Sequence, residues 1–83
     1  MSMIFFTFRA QTEARMGLDI LKRSGIRARM DRTPSAISKN GCGFGLWVDA
    51  NEGGLAAETL RNGKRPYMRS YLFENRTFRE VRL

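Results

Sequence analysis

The residue best equipped for covalent chemistry is Cys42, the only cysteine of the chain, set between Gly41 and Gly43. It closes a stretch, residues 33–47, that reads Thr-Pro-Ser-Ala-Ile-Ser-Lys-Asn-Gly-Cys-Gly-Phe-Gly-Leu-Trp. Glycine on both sides leaves little side-chain cover, so a sulfur there is approachable from outside. Pro34 fixes its own φ and holds Thr33 extended, which stiffens the entry to the loop. An ordinary thiol titrates at about 8.5 and is only a few per cent thiolate at neutral pH. Lowering that value by about two units takes roughly 2.7 kcal/mol of preferential anion stabilisation. Successive amides through Asn40, Gly41, Cys42 and Gly43 could supply part of it as an anion-binding nest. A helix N-terminus would supply more. Arg9, Arg32 and Lys39 would contribute less, because exposed charges are screened.

The chemistry this equips is acceptance and release of a sulfur or selenium atom, more carriage than catalysis. Histidine is absent. That removes Cys–His and Ser–His nucleophilic pairs and any histidine-based metal site, and no cofactor is called for. A second reading of the same residue stays open, in which a lone cysteine is a small buried hydrophobe.

Positioning falls to the elements around the loop. Eighty-three residues suit one domain with a small core. A hydrophobic share of 42% and a charged share of 28% are those of a soluble globular domain. Apolar runs fall short of the roughly 20 residues of a membrane span. Residues 1–8 lack the basic start and the cleavage site of a signal peptide. One unpaired cysteine suits a reducing, cytoplasmic compartment.

Residues 3–8 are β-prone on both faces, as a central strand should be. A helix follows, with Thr12 as N-cap, Glu13 in the first turn and Gly25 as the stop. Its inner face is Ala14, Gly17, Leu18 and Leu21, while Met16 and Ile20 form either a core rim or a dimer contact. Residues 26–31 alternate as a half-exposed strand, and residues 44–49 form a third. Asn51 can cap a short second helix over residues 52–61, with Leu55, Ala56, Thr59 and Leu60 inward and Asn62-Gly63 at its end. Gly53 and Gly54 weaken its first turn by roughly 1 kcal/mol each. Residues 67–73 read as a strand, and residues 77–81 as a short return strand or a loose tail. The order is β-α-β-β-α-β. This is an α+β, ferredoxin-like sandwich with two helices on one face of an antiparallel sheet. In that topology the start of the third strand lies beside the end of the first, which places Cys42 near Arg9, Gln11 and Thr12.

Phe5-Phe6-Thr7-Phe8, a first helix, then Thr33-Pro34, Ile37-Ser38 and Cys42-Gly43 resemble the small bacterial family described as putative selenium/sulfur carrier protein-like. The likeness runs to about Tyr71. Ser35 stands where that family commonly has arginine, and the spacing from Ser38 to Cys42 is one residue longer. The resemblance implies a carrier, at most a stoichiometric relay, holding a persulfide or selenopersulfide on Cys42. Gly41, Gly43, Ser38, Lys39, Arg9 and Thr12 form its expected surroundings. The partners would be sulfur or selenium donor and acceptor proteins such as a cysteine desulfurase.

The charge supports a rival. Fifteen lysines and arginines against eight acids give +7, and arginine far outnumbers lysine. Such a surface attracts an acidic protein or a nucleic acid, or serves only solubility. The RNA-recognition motif shares the element order, and Gly43-Phe44-Gly45 copies part of its third strand. In that reading Phe44 and Phe6 or Phe8 would stack bases. A third alternative is a plain interaction domain with an inert cysteine.

Overall fold

A computed structural model describes residues 1–38 and 43–83. In chain order these form β1 (Met3–Phe8), α1 (Gln11–Arg23), β2 (Arg29–Arg32), β3 (Phe44–Asp49), α2 (Gly53–Asn62), β4 (Arg69–Glu74) and β5 (Thr77–Val81). The sheet order is β2-β3-β1-β4-β5, every pairing antiparallel. This is the expected ferredoxin-like α+β arrangement. The return strand over residues 77–81 extends it at one edge.

Alternation along β1 sorts its side chains between two layers. Ile4, Phe6 and Phe8 join Leu46 and Val48 of β3 beneath Ala14 and Leu21 of α1 and Ala56, Ala57 and Leu60 of α2. Both helices therefore cover one face. The other face carries Phe5, Trp47, Phe73 and Phe78 in edge and tilted contacts, with ring centroids 4.6–6.0 Å apart. Phe5 reaches zero exposure there because its ring lies across Gly45, where a Cβ would overlap that ring and the Phe6 carbonyl.

Several expectations shift. Helix α1 begins at Gln11 and its N-cap is Ala10, with no side-chain cap bond, so Thr12 is not the cap. The amide of Ala14 already donates to the Ala10 carbonyl at 3.1 Å, which closes the first turn before Thr12 can cap it. Ile20 fills the core rim against Gly63, while Met16 is exposed. Ahead of α2, Asp49 accepts from the Asn51 amide at 2.8 Å and caps a 3-10 turn, Ala50–Glu52, so that α2 starts from Glu52 with no side-chain cap and Asn51 is not its cap. The inner face of α2 is rotated accordingly to Gly53, Ala56, Ala57 and Leu60, leaving Leu55 exposed. Gly53 is there for close approach, since a Cβ would lie 2.8 Å from Ile4.

Both helices end in the same hydrogen-bond pattern. At α1, Ile26 donates to Leu21 and Gly25 to Lys22, with Gly25 at φ +80°. At α2, Arg65 donates to Leu60 and Lys64 to Arg61, with Lys64 at φ 60°. These are Schellman closures, in which the left-handed position ordinarily belongs to glycine. Gly63 sits one residue too early to fill it. A Cβ at Gly63 would lie 2.8 Å from Ile20, so helix packing holds the glycine there and Lys64 takes the left-handed backbone.

Candidate functional site

The described part of the loop is built from its two ends inward. Thr33 is buried, and its amide donates to the Gly43 carbonyl at 3.1 Å, prolonging the β2–β3 ladder one step past Arg32 and Phe44. After Pro34 the chain makes a single helical turn, the amides of Ile37 and Ser38 both donating to the Pro34 carbonyl at 2.9 and 3.0 Å. Proline suits the first position of such a turn, where its missing amide hydrogen is not needed. Gly43 has φ +99°, a region L side chains rarely adopt. A Cβ there would meet Thr33 Oγ1 at 3.3 Å and the Phe8 carbonyl oxygen at 3.7 Å. The residue that follows Cys42 in sequence is thus held at the end of β1.

A hollow of about 250 Å³ opens at this neck, lined by Thr7, Thr33, Ile37, Gly43, Met68 and Tyr71 among others. Thr7 Oγ1 accepts from the Arg69 amide at 3.0 Å, and the Met68 amide donates to the Thr7 carbonyl at 2.8 Å. Those bonds draw the start of β4 against the end of β1, which puts Met68 at the rim with 56% exposure. Beyond Met68 a second hollow of about 320 Å³ lies between the first turn of α1 and the α2–β4 connection. Arg9, Glu13, Lys64 and Arg65 supply its charges.

The expected site residues distribute as follows. Gly43 and Ser38 line the neck hollow, and Arg9 lines the second, which shares Phe8 and Met68 with the first. Thr12 is exposed in the first turn of α1. Lys39, Gly41 and Cys42 lie outside the described residues, as does Asn40. Sequence reasoning missed Thr33 as the latch of the loop, and Lys64, Arg65 and Met68 as neighbours of it. The trace of Lys64 and Arg65 was the Gly-Lys-Arg-Pro run after α2, which reads as an ordinary helix end, and Met68 left none.

The stacking pair imagined for a base-binding surface is corrected. Phe6 and Phe8 are 0% and 3% exposed in the core under the helices, and Phe44 packs against that core. The aromatic of β3 on the open face is Trp47, one residue out of phase with the G-F-G match, and a one-residue offset exchanges the faces of a strand. No helix among the described residues is long and apolar enough to cross a membrane. No group of histidine, cysteine, aspartate and glutamate able to hold a metal occurs among the described residues either.

Neither the curated proteins nor the solved structures contain a match to the chain. The family model described as "Putative Se/S carrier protein-like" matches residues 3–71, from the first residue of β1 into β4, and takes in the whole of the loop from Thr33 to Gly43. The chain belongs to that family.

Proposed function

We propose that the protein is a non-enzymatic carrier that holds sulfur or selenium on Cys42 as a persulfide or selenopersulfide. The observation that carries this reading is the family match across residues 3–71, a span that includes the only cysteine of the chain. The Thr33–Gly43 bond supports it, because it fixes the residue that follows Cys42 in sequence against the entry to the loop. So does the position of Gly43 beside the Phe8 carbonyl, with Arg9 and the start of α1 next along the chain. Gly41, Gly43, Ser38, Lys39, Arg9 and Thr12 make up the surroundings of the sulfur.

Loading is a sulfur exchange. The Cys42 thiolate attacks the outer sulfur of a donor persulfide, a new S–S bond forms at Cys42, and the donor's S–S bond breaks to release the donor thiolate. The same exchange at the outer selenium of a selenopersulfide loads selenium. Atoms and electrons balance with no outside oxidant. A histidine-free chain has no imidazole to take the thiol's proton, so loading draws on the thiolate already present. Donors and acceptors are other proteins, such as a cysteine desulfurase, and the compartment is the reducing cytoplasm.

Incubation with a cysteine desulfurase and cysteine, followed by intact mass spectrometry, tests this. The wild type should gain one sulfur and Cys42→Ser none. Sulfur retained on Cys42→Ser, or absent from the wild type, overturns the reading.

A further inference from the structure

The cleft between α1 and the α2–β4 connection has a charge pattern that loading chemistry alone does not require. Arg9, Lys64 and Arg65 converge on it against a single carboxylate, Glu13. Among the described residues none of the three makes a side-chain hydrogen bond or ion pair. Lys64 reaches it from the left-handed position of the closure that ends α2. At the rim stands Met68, more than half exposed and shared with the hollow at the loop neck. Cations around an exposed methionine make the composition of a protein-docking surface, since methionine and arginine are enriched there and methionine adapts its shape to varied partners.

We propose that this cleft docks an acidic, partly apolar segment of the protein that exchanges cargo with Cys42. The inference rests on the carrier reading for its purpose, while its site consists of Arg9, Lys64, Arg65 and Met68. Carboxylates of the segment meet the three cations, and an apolar side chain covers Met68. Nucleic acid fits less well. Stacking needs an accessible ring among the cations. Of the two aromatics lining the cleft, Phe8 is buried in the core, and Tyr67 is turned onto Phe6 with centroids 4.7 Å apart, its hydroxyl bonded to Arg61 and the Leu83 carbonyl. The rings of the open sheet face lie elsewhere, beside charges already matched, as in Arg69 with Glu80 at 3.2 Å and Trp47 with Asp31 at 3.4 Å.

Fluorescence anisotropy with a labelled peptide of alternating glutamate and leucine tests the site on the full chain. The triple variant Arg9→Gln, Lys64→Gln, Arg65→Gln should bind about tenfold more weakly at low salt, with a smaller difference near ~150 mM salt. A charge-matched control, Arg23→Gln, Arg27→Gln, Arg76→Gln, at the far ends of α1 and β4, should stay within about twofold of wild type. Met68→Ser, at unchanged net charge, should weaken binding at both salt concentrations. Equal losses from the triple and its control would reduce the effect to net charge and overturn the proposal. So would single-stranded RNA binding more tightly than the peptide and being lost in the triple. Failure of the carrier reading shows separately. The persulfide of N-acetylcysteine amide, a small donor that needs no docking, should load the wild type and a Lys64→Gln, Arg65→Gln double variant equally, and Cys42→Ser should still bind the peptide.

Discussion

The open face of the sheet and the cleft at the end of β1 are both uncovered by the helices, yet they are finished in opposite ways. On the open face the rings and some of the charges find partners within the chain. Trp47 packs against Phe5, Phe73 and Phe78, its indole N–H donates to Asp31, and Arg69 pairs with Glu80. The cleft is lined by three exposed cations without side-chain partners among the described residues, and Met68 is exposed. A surface whose rings pack on one another within the chain serves stability, and cations left without partners around an exposed methionine are available for binding.

Breaking the first surface should have the largest effect. Gly45→Ala puts a methyl into the Phe5 ring and the Phe6 carbonyl, and backbone cannot step aside as a flexible side chain can. The expected loss is about 3 kcal/mol or more, the upper end of overpacking penalties, lowering Tm by more than about 10 °C in a thermal melt. An unchanged Tm would mean that Phe5 does not lie across Gly45. Trp47→Ala comes next, at about 2 kcal/mol, because the ring is only half-buried. Denaturant unfolding followed by circular dichroism reads it, and a loss under about 0.5 kcal/mol would show that the aromatic plate contributes little.

The smallest change sharpens the contrast, and it has the opposite sign. Lys64→Gly relieves the left-handed backbone at the end of α2 and should raise stability by about 0.5–1 kcal/mol, after allowing for the greater freedom of glycine in the unfolded chain. The same variant should bind the acidic peptide more weakly. Stability and binding moving in opposite directions would mark Lys64 as placed for a partner. A variant that is less stable than the wild type would contradict the strain assigned to that turn.

The fold was legible because its pattern is strong. The run of residues 3–8, β-prone on both faces, the Gly25 stop and the order of elements lead to the observed sheet, while the strand expected over residues 26–31 forms only over Arg29–Arg32. The helix starts were less legible, because α1 follows Ala10 and α2 follows Glu52, neither with a side-chain cap, where the hydroxyl of Thr12 and the amide of Asn51 looked suited. Propensity ranks a residue by its own side chain, whereas these starts were settled by where the preceding strand delivers the chain. At the site, the glycines and Pro34 pointed to the loop, and Gly43 does occupy a backbone that favours glycine. Thr33 as its latch was not readable, since one backbone bond between residues ten apart depends on strand register. Nor was the cleft. Arg9 and Lys64 are far apart in sequence, and only the antiparallel β1–β4 pairing, with the Met68 amide bonded to Thr7, draws their segments together.

The central claim is that Cys42 receives a chalcogen atom and gives it up again. A chase experiment tests it most directly: the protein is loaded with labelled sulfur by a cysteine desulfurase, freed of donor, and mixed with an acceptor thiol. The account predicts that the label moves to the acceptor as a persulfide while Cys42 returns to a free thiol. A label that stays on the chain, or that leaves as sulfide with a mixed disulfide formed at Cys42, would contradict it.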